Sequence, residues 1–230
     1  MVDMRKGLIA LFVVACVALA IGLVVPPVYK LMTSHGLQTA SIAEGSGEPA
    51  SIGVDGSWKV VDGVGANSSQ AGYTFDEVLP GQRKTTSGRG DGVSGSLKVS
   101  DGMLTEGRIT VDVESISSDI EKRDINVRQH ILQTDLYPEA TFEVTEPADL
   151  SGLPDDGTVG TVTLTGDLTM HGTTQSVTVD LQILRTGKNV IVEGELPIVR
   201  SDFNLNSPQF VASQIAAEGT LDLLLVFAQS

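Results

Sequence analysis

From residue 57 to the carboxyl terminus, apolar and polar residues alternate one for one, interrupted by Gly, Asp, Asn and Pro. Successive side chains of an extended strand point to opposite faces. A period of two therefore specifies half-buried β-strands and argues against amphipathic helices as the main element. Over residues 161–170, Val162, Leu164, Leu168 and Met170 share one face, while Thr161, Thr163, Thr165, Asp167 and Thr169 share the other. Ile109, Val111 and Val113 alternate with Thr110, Asp112 and Glu114, and Val177, Val179, Leu181 and Ile183 repeat the pattern. The reading is all-β. A sheet of about eight strands closes on itself or splits into a sandwich, because closure alone removes exposed edges.

Two segments depart from simple alternation. Over residues 119–132, Ile120, Val127 and Ile131 recur at helical spacing, with Asp119 placed to cap a short helical insertion and Pro138 to end it. In the last strand, Leu221, Leu223, Leu225 and Phe227 make one face apolar, and Leu224, Val226 and Ala228 do the same for the other. Such a strand either lines an interior with its far side under a helix or flap, or sits between two packed sheets.

Ahead of the β region, Arg5 and Lys6 precede the uncharged stretch 7–25, which Pro26 and Pro27 close. A helix of that length reaches about 28 Å, close to the ~30 Å hydrocarbon core of a bilayer. It exceeds the apolar core of a cleaved signal, and no convincing cleavage site precedes the prolines. The expected organisation is a cytoplasmic terminus at 1–6, a transmembrane signal anchor at 7–25, a flexible linker at 26–56 and a barrel domain at 57–229. Basic residues ahead of the span place the domain outside the cytoplasm, at the outer face of the plasma membrane, although Lys30 on the far flank weakens that bias. Val13, Val14, Ala15 and Cys16 loosely match a lipoprotein processing box, but the apolar run continues past the cysteine.

Composition removes several function classes. With 29 acidic against 15 basic residues the formal charge is −14, a field that repels nucleic acid. The single cysteine, Cys16, lies in the apolar run, so neither an intrachain disulfide nor a cysteine metal cluster can form. The sequence carries no nucleophile elbow, zinc-protease helix motif or phosphate-binding glycine loop, and no cofactor is expected. His35, His130 and His171 are too dispersed to build a metal site.

Three segments carry a resemblance. Arg123-Asp124 is followed by Tyr137-Pro138-Glu139-Ala140-Thr141-Phe142. Next comes Gly166-Asp167-Leu168-Thr169-Met170-His171-Gly172, and then Arg200-Ser201-Asp202-Phe203, continued by Asn204. Their order and spacing, with Trp58 near the start, resemble the YceI-like family of lipid- or polyisoprenoid-binding proteins over about residues 57–229. That family usually has glycine where this chain has Asn204, a residue that also tolerates a left-handed backbone. The resemblance implies a lipocalin-like, eight-stranded antiparallel barrel with a helix across one end. Its lumen would hold a long isoprenoid lipid of the polyprenyl phosphate or quinone type for non-catalytic transport or sequestration. The alternative is a structural or adhesive surface domain with a fully packed interior.

The candidate lumen residues are Tyr73, Phe75, Phe142, Leu164, Leu168, Met170, Val179, Leu181, Leu223 and Leu225, each of which reads equally well as plain core. Arg123, Asp124, Arg200 and Asp202 stand either at a head-group site or, as the favoured reading, in structural pairs of each arginine with a nearby carboxylate. His171 reads as a turn residue satisfied by backbone hydrogen bonds, and Arg89-Gly90-Asp91 as a turn rather than an adhesion tripeptide.

Overall fold

The computed structural model describes residues 12–16, 18–23, 25, 26, 29, 33–42, 45, 47–65, 67–79, 82–206 and 214–230. The chain divides into two compact units, Met1–Ser34 and His35–Ser230. In the first, residues 12–16, 18–23, 25 and 26 are helical with exposed side chains. The expected anchor at 7–25 lies partly outside the described residues; among those described, no helix is long and apolar enough to cross a membrane.

The second unit is built from β1 (Gly56–Val61), β2 (Gly63–Val64), β3 (Asn67–Ser68), β4 (Gln70–Leu79), β5 (Gln82–Gly90), β6 (Val93–Ser100) and β7 (Met103–Asp112). After a helical segment come β8 (Glu139–Val144), β9 (Ala148–Asp149), β10 (Val159–Met170), β11 (Thr173–Thr186), β12 (Asn189–Val199) and β13 (Gln214–Gln229). Eight strands close an antiparallel ring in the order β1-β6-β7-β8-β10-β11-β12-β13, sealed where Trp58 to Val61 run opposite Gln229 to Val226. The closing strand is long enough to serve two neighbours on one edge. Its end pairs with β1, and its earlier part, from Gln214 to Leu224, pairs with β4, so the β4–β5 hairpin continues the wall beyond β1. Two connections are two-residue turns with both residues left-handed, Asp101-Gly102 (φ 54° and 73°) and His171-Gly172 (φ 51° and 70°), the backbone that matches strand twist.

The alternation read from the sequence sorts the two faces. Inward residues form one continuous cluster running from Trp58 and Leu104 through Leu164, Leu181 and Leu196 to Phe203 and Phe227. Outside the wall, Leu184, Ile191, Leu224 and Val226 form a second buried cluster with Ile42 and Ala40. This accounts for the doubly apolar last strand: one face looks into the barrel and the other lies beneath a strap.

Within the segment expected as a flexible linker, the described residues His35, Leu37, Ile42, Ala50 and Ser51 are docked on the barrel. Ser87 N–H donates to His35 O at 2.9 Å and Leu37 N–H to Ser87 O at 3.0 Å. Ile42 N–H donates to Glu193 Oε2 at 2.7 Å, and Ala50 and Ser51 N–H reach Asp155 O and Gly187 O at 2.8 and 2.7 Å. The physical cause is the outer apolar patch on β11, β12 and β13, against which Ile42 and Ala40 of this low-complexity segment pack among the described residues. Burying a side chain the size of Ile42 is worth about 1.5–3 kcal/mol.

The helical insertion also differs in detail. It comprises the helix Glu121–Asn126 and a wider π-type turn, Val127–Leu132, with Ile131 buried and Val127 packed on the main core. Ile120, not Asp119, occupies the cap position, because the Asp119 carboxylate is taken by Arg123. The segment ends at Gln133 in a left-handed conformation (φ 49°), before Pro138 is reached.

Candidate functional site

All ten candidate lumen residues lie on the inner face of the wall. Leu164, Leu168, Met170, Val179, Leu181 and Leu225 are buried, while Phe75, Phe142 and Leu223 pack against them and keep part of their surface accessible. Tyr73 stands opposite Leu221 on one side and Gly88 on the other, its ring centroid 6.2 Å from that of Phe75. Other inward residues, among them Val93, Ile109, Ala140, Ile215 and Leu221, are likewise only partly covered.

Several inward positions are glycines with a side chain lying over them. A Cβ on Gly166 would sit 2.5 Å from Phe142 Cζ, one on Gly88 would sit 2.8 Å from Tyr73 Cζ, and one on Gly219 would overlap the Phe75 ring. Each aromatic ring therefore lies over a glycine of the neighbouring strand, in the place a side chain would take. Gly95, Gly107 and Gly194 occupy inward positions too, with Ile109, Val144 and Leu181 lying over them. The sequence carried this signal unread. Gly166 interrupts the inward series Val162, Leu164, Leu168, Met170 at the position where an apolar residue belongs.

At the end of the lumen bounded by the β4–β5 hairpin and the helical segment, the inner face turns polar. Lys84 Nζ lies 3.6 Å from Glu77 Oε2 with both side chains largely buried, and Thr86 Oγ1 donates to the same carboxylate oxygen at 3.1 Å. Burial pushes the Lys84 amine below its usual range, an effect the Glu77 carboxylate partly offsets. Tyr73 is pushed up to about 12, chiefly by burial and against the nearby Arg123 guanidinium. The sequence reading passed over Glu77 and Lys84. Their signal was charge at positions that alternation assigns to the inner face, two residues beyond Phe75 and two before Thr86.

Of the two expected pairings of an arginine with a nearby carboxylate, that of Arg123 forms, with Asp119, and that of Arg200 does not. Arg123 does not pair with its neighbour Asp124. Its Nη1 donates to Asp119 Oδ1 at 3.2 Å and Ser118 Oγ at 3.3 Å, while Nη2 is buried with no hydrogen-bond partner among the described residues. Asp124 is buried and accepts from Ser118 N–H and O–H at 2.8 and 2.6 Å, pinning the loop that enters the helix. Arg200 does not pair with Asp202, which is exposed. It donates instead to three backbone carbonyls, Ala216 O at 2.8 Å, Leu205 O at 3.0 Å and Ile215 O at 3.1 Å. The cause is the irregularity in β13 between Ile215 and Gly219, which takes carbonyls out of the ladder that a rigid guanidinium fork then collects. Asn204 takes the left-handed position (φ 55°) closing this turn.

His171 occupies its turn, but its ring is not satisfied by backbone groups. Both ring nitrogens are buried without a partner among the described residues, and the ring centroid lies 4.4 Å from that of Tyr137. No group of three or more His, Cys, Asp or Glu among the described residues is placed to hold a metal ion. Arg89 is engaged structurally, its Nη1 donating to Gln70 Oε1 and Gln38 O at 2.9 and 3.1 Å. A separate polar groove of about 360 Å³ opens beside Trp58, Leu97 and Gly107, rimmed by the exposed ion pairs Lys98–Glu106 and Arg108–Glu143.

These elements define an all-β protein whose eight-stranded antiparallel barrel has an apolar inner face and a buried polar cluster at one end. The YceI-like domain family matches residues 63–227, and the chain belongs to that family. A UPF0312 protein of Vibrio parahaemolyticus is 28% identical over 145 residues, covering 60% of this chain and 69% of the relative. Protein YceI of Shigella flexneri is 31% identical over 113 residues, covering 46% of this chain and 55% of its own length. Among solved structures, a polyisoprenoid binding domain from Saccharophagus degradans shares the fold with a TM-score of 0.57 at 21% identity, over 70% of this chain and 98% of that domain. Burkholderia cenocepacia BcnA does so with a TM-score of 0.54 at 22% identity, over 69% and 94%.

Proposed function

We propose that this protein binds a long isoprenoid lipid in the barrel lumen and carries or sequesters it without chemical change. The observation that carries the reading is the inner wall: aromatic rings lying over glycines, with inward apolar side chains left partly uncovered. A packed structural barrel would fill those positions with side chains. Burying about 20 hydrocarbon groups at ~0.8 kcal/mol each gains on the order of 16 kcal/mol, against association costs of ~4–15 kcal/mol. The tail alone can therefore supply the affinity. Membership of a family with a polyisoprenoid binding domain among its structural neighbours supports the same ligand class.

In this proposal residues 7–25 anchor the chain in the plasma membrane and the barrel works on the extracytoplasmic side, as the length of the apolar run and the flanking Arg5 and Lys6 support. Native mass spectrometry of the full chain purified from a bacterial membrane, followed by organic extraction, tests the function. A near-stoichiometric prenyl lipid is the expected result. A bare mass that stays bare after incubation with prenyl lipids would leave a structural surface domain as the better reading.

A further inference from the structure

Exposed apolar side chains gather at one end of the barrel. Val78 near the tip of the β4–β5 hairpin, Ile125 in the helix, Leu136 after it and Val199 at the end of β12 all stand in solvent, Leu136 at 70% and Ile125 at 42% exposure. Register puts them at the same end: Val199 lies opposite Glu218 and Val78 opposite Gln214, both early in β13, and the helical segment joins the end of β7 to the start of β8. Val159 at the start of β10 and Val61 opposite Val226 lie away from it. Charge is unevenly divided as well. At the opposite end the turn and loop residues Asp101, Asp149, Asp155 and Asp156 are exposed, with Lys188 in the β11–β12 turn, whereas the helical end exposes both signs, Arg83 and Lys122 as well as Glu121 and Asp135. The strap adds a direction. Gly36 bridges Ser87 of the β4–β5 hairpin in parallel, and Ala50 bridges Gly187 at the opposite end, so the strap starts on the helical side and runs away from it.

We propose that the helical end of the barrel docks on the surface of a lipid bilayer, with Leu136 and Ile125 entering the interface and the strap setting that orientation. Ten positions separate Val25, the last residue of the apolar run, from His35, a reach of at most about 35 Å. A chain held in the membrane by that run therefore keeps the start of the strap, and the helical side on which it starts, close to the surface. An anionic leaflet repels the acidic end and turns it outward. Isolated leucine and isoleucine side chains set among charges of both signs suit the boundary between headgroups and acyl chains. They fall short of the apolar core that a stable dimer interface of about 1,200 Å² or more requires. The proposal rests on the membrane-anchoring reading and is independent of the cargo.

The test uses the full chain carrying Cys16→Ser and a single new cysteine, Leu136→Cys, Ile125→Cys or Lys188→Cys, labelled with a polarity-sensitive fluorophore. Each protein is reconstituted into vesicles of phosphatidylethanolamine and phosphatidylglycerol, with and without nitroxide-labelled phospholipid. Quenching by the nitroxide lipid is expected at positions 136 and 125 and to exceed that at 188 severalfold. With the label moved to Gln129→Cys, the double variant Ile125→Ser/Leu136→Ser is expected to lower the ratio of docked to undocked barrel by about tenfold or more. Its melting midpoint should hold, because both side chains are exposed. Equal quenching at 136 and 188, or none at either, overturns the proposal, and flotation of the chain with the vesicles then leaves the anchoring reading standing. A chain that does not float overturns both. A label at 136 that shifts to the blue with protein density, without quenching by the lipid, shows a second copy on this face and overturns the bilayer as its occupant.

Discussion

Gly219→Ala puts the lumen geometry to its sharpest test. The three atoms nearest a Cβ at this position all belong to the Phe75 ring, Cγ at 2.6 Å among them, and none is backbone. Carbon atoms prefer about 3.5–4.0 Å, so the ring must move roughly 1 Å off the wall and into the lumen. Overpacking of this kind costs about 1–3 kcal/mol, or roughly 3–10 °C of melting temperature in a domain of this size. The displaced ring also takes space from the ligand, so lipid affinity falls with stability. Phe75→Ala alone removes a half-buried ring, for about 2 kcal/mol, and widens the lumen. In the double variant no ring remains to be displaced. Urea unfolding of the four proteins is therefore expected to show the double variant about 1–3 kcal/mol more stable than the sum of the single effects, with lipid binding recovered relative to Gly219→Ala. Additivity within ~0.5 kcal/mol would refute the idea that glycine holds the aromatic against the wall.

Alkaline titration should expose Tyr73. Its folded pKa of about 12 lies above the ordinary 10, so its contribution is complete below pH 10 and is lost as pH rises from 10 through 12, amounting to about 2–3 kcal/mol. Tyr73→Phe is expected to flatten that portion of the stability profile, and an unchanged slope would count against a buried phenol. Hydrogen exchange should find the amides of Leu37, Ile42 and Ala50 protected, as their bonds to Ser87, Glu193 and Asp155 require, and Ile42→Ala should cost about 2 kcal/mol; exchange at the rate of a free chain would restore the flexible-linker reading. Arg200→Lys cannot serve three carbonyls at once and should destabilise the barrel by about 2 kcal/mol or more, whereas Asp202→Asn should shift the midpoint by less than about 0.5 kcal/mol because that carboxylate is exposed.

Much of the architecture follows from local pattern. A period of two is a property of the strand itself, so Val162 to Met170 and Val177 to Ile183 could be assigned an inner face before any partner was known, and they pair in that register, Leu164 opposite Val179. The two apolar faces of Leu221 to Phe227 likewise demanded cover on both sides. What covered the outer one was invisible. The strap around Ala40 and Ile42 has no periodicity, and its backbone is held by groups far away in sequence, Ala40 N–H by Gln70 Oε1 and Ile42 N–H by the Glu193 carboxylate. Adjacency misled for the arginines, because Asp124 and Asp202 follow within two residues but point elsewhere. Arg123 reaches back one helical turn to Asp119, and Arg200 serves carbonyls that only the β13 irregularity frees.

The sequence by itself determined that the chain would make an antiparallel sheet, which side chains would turn inward, and that both faces of the last strand would be dry. These depend on alternation and composition, which act residue by residue. Only the tertiary structure decided that the inner-face aromatics lie over glycines of neighbouring strands and that one end of the inner face is polar. Those ring–glycine contacts are set by how neighbouring strands align, Phe142 over Gly166 and Phe75 over Gly219, and the polar end by the side chains that the β4–β5 hairpin brings together, Lys84 beside Glu77. Both are properties of register and approach between distant segments, and no local pattern encodes them.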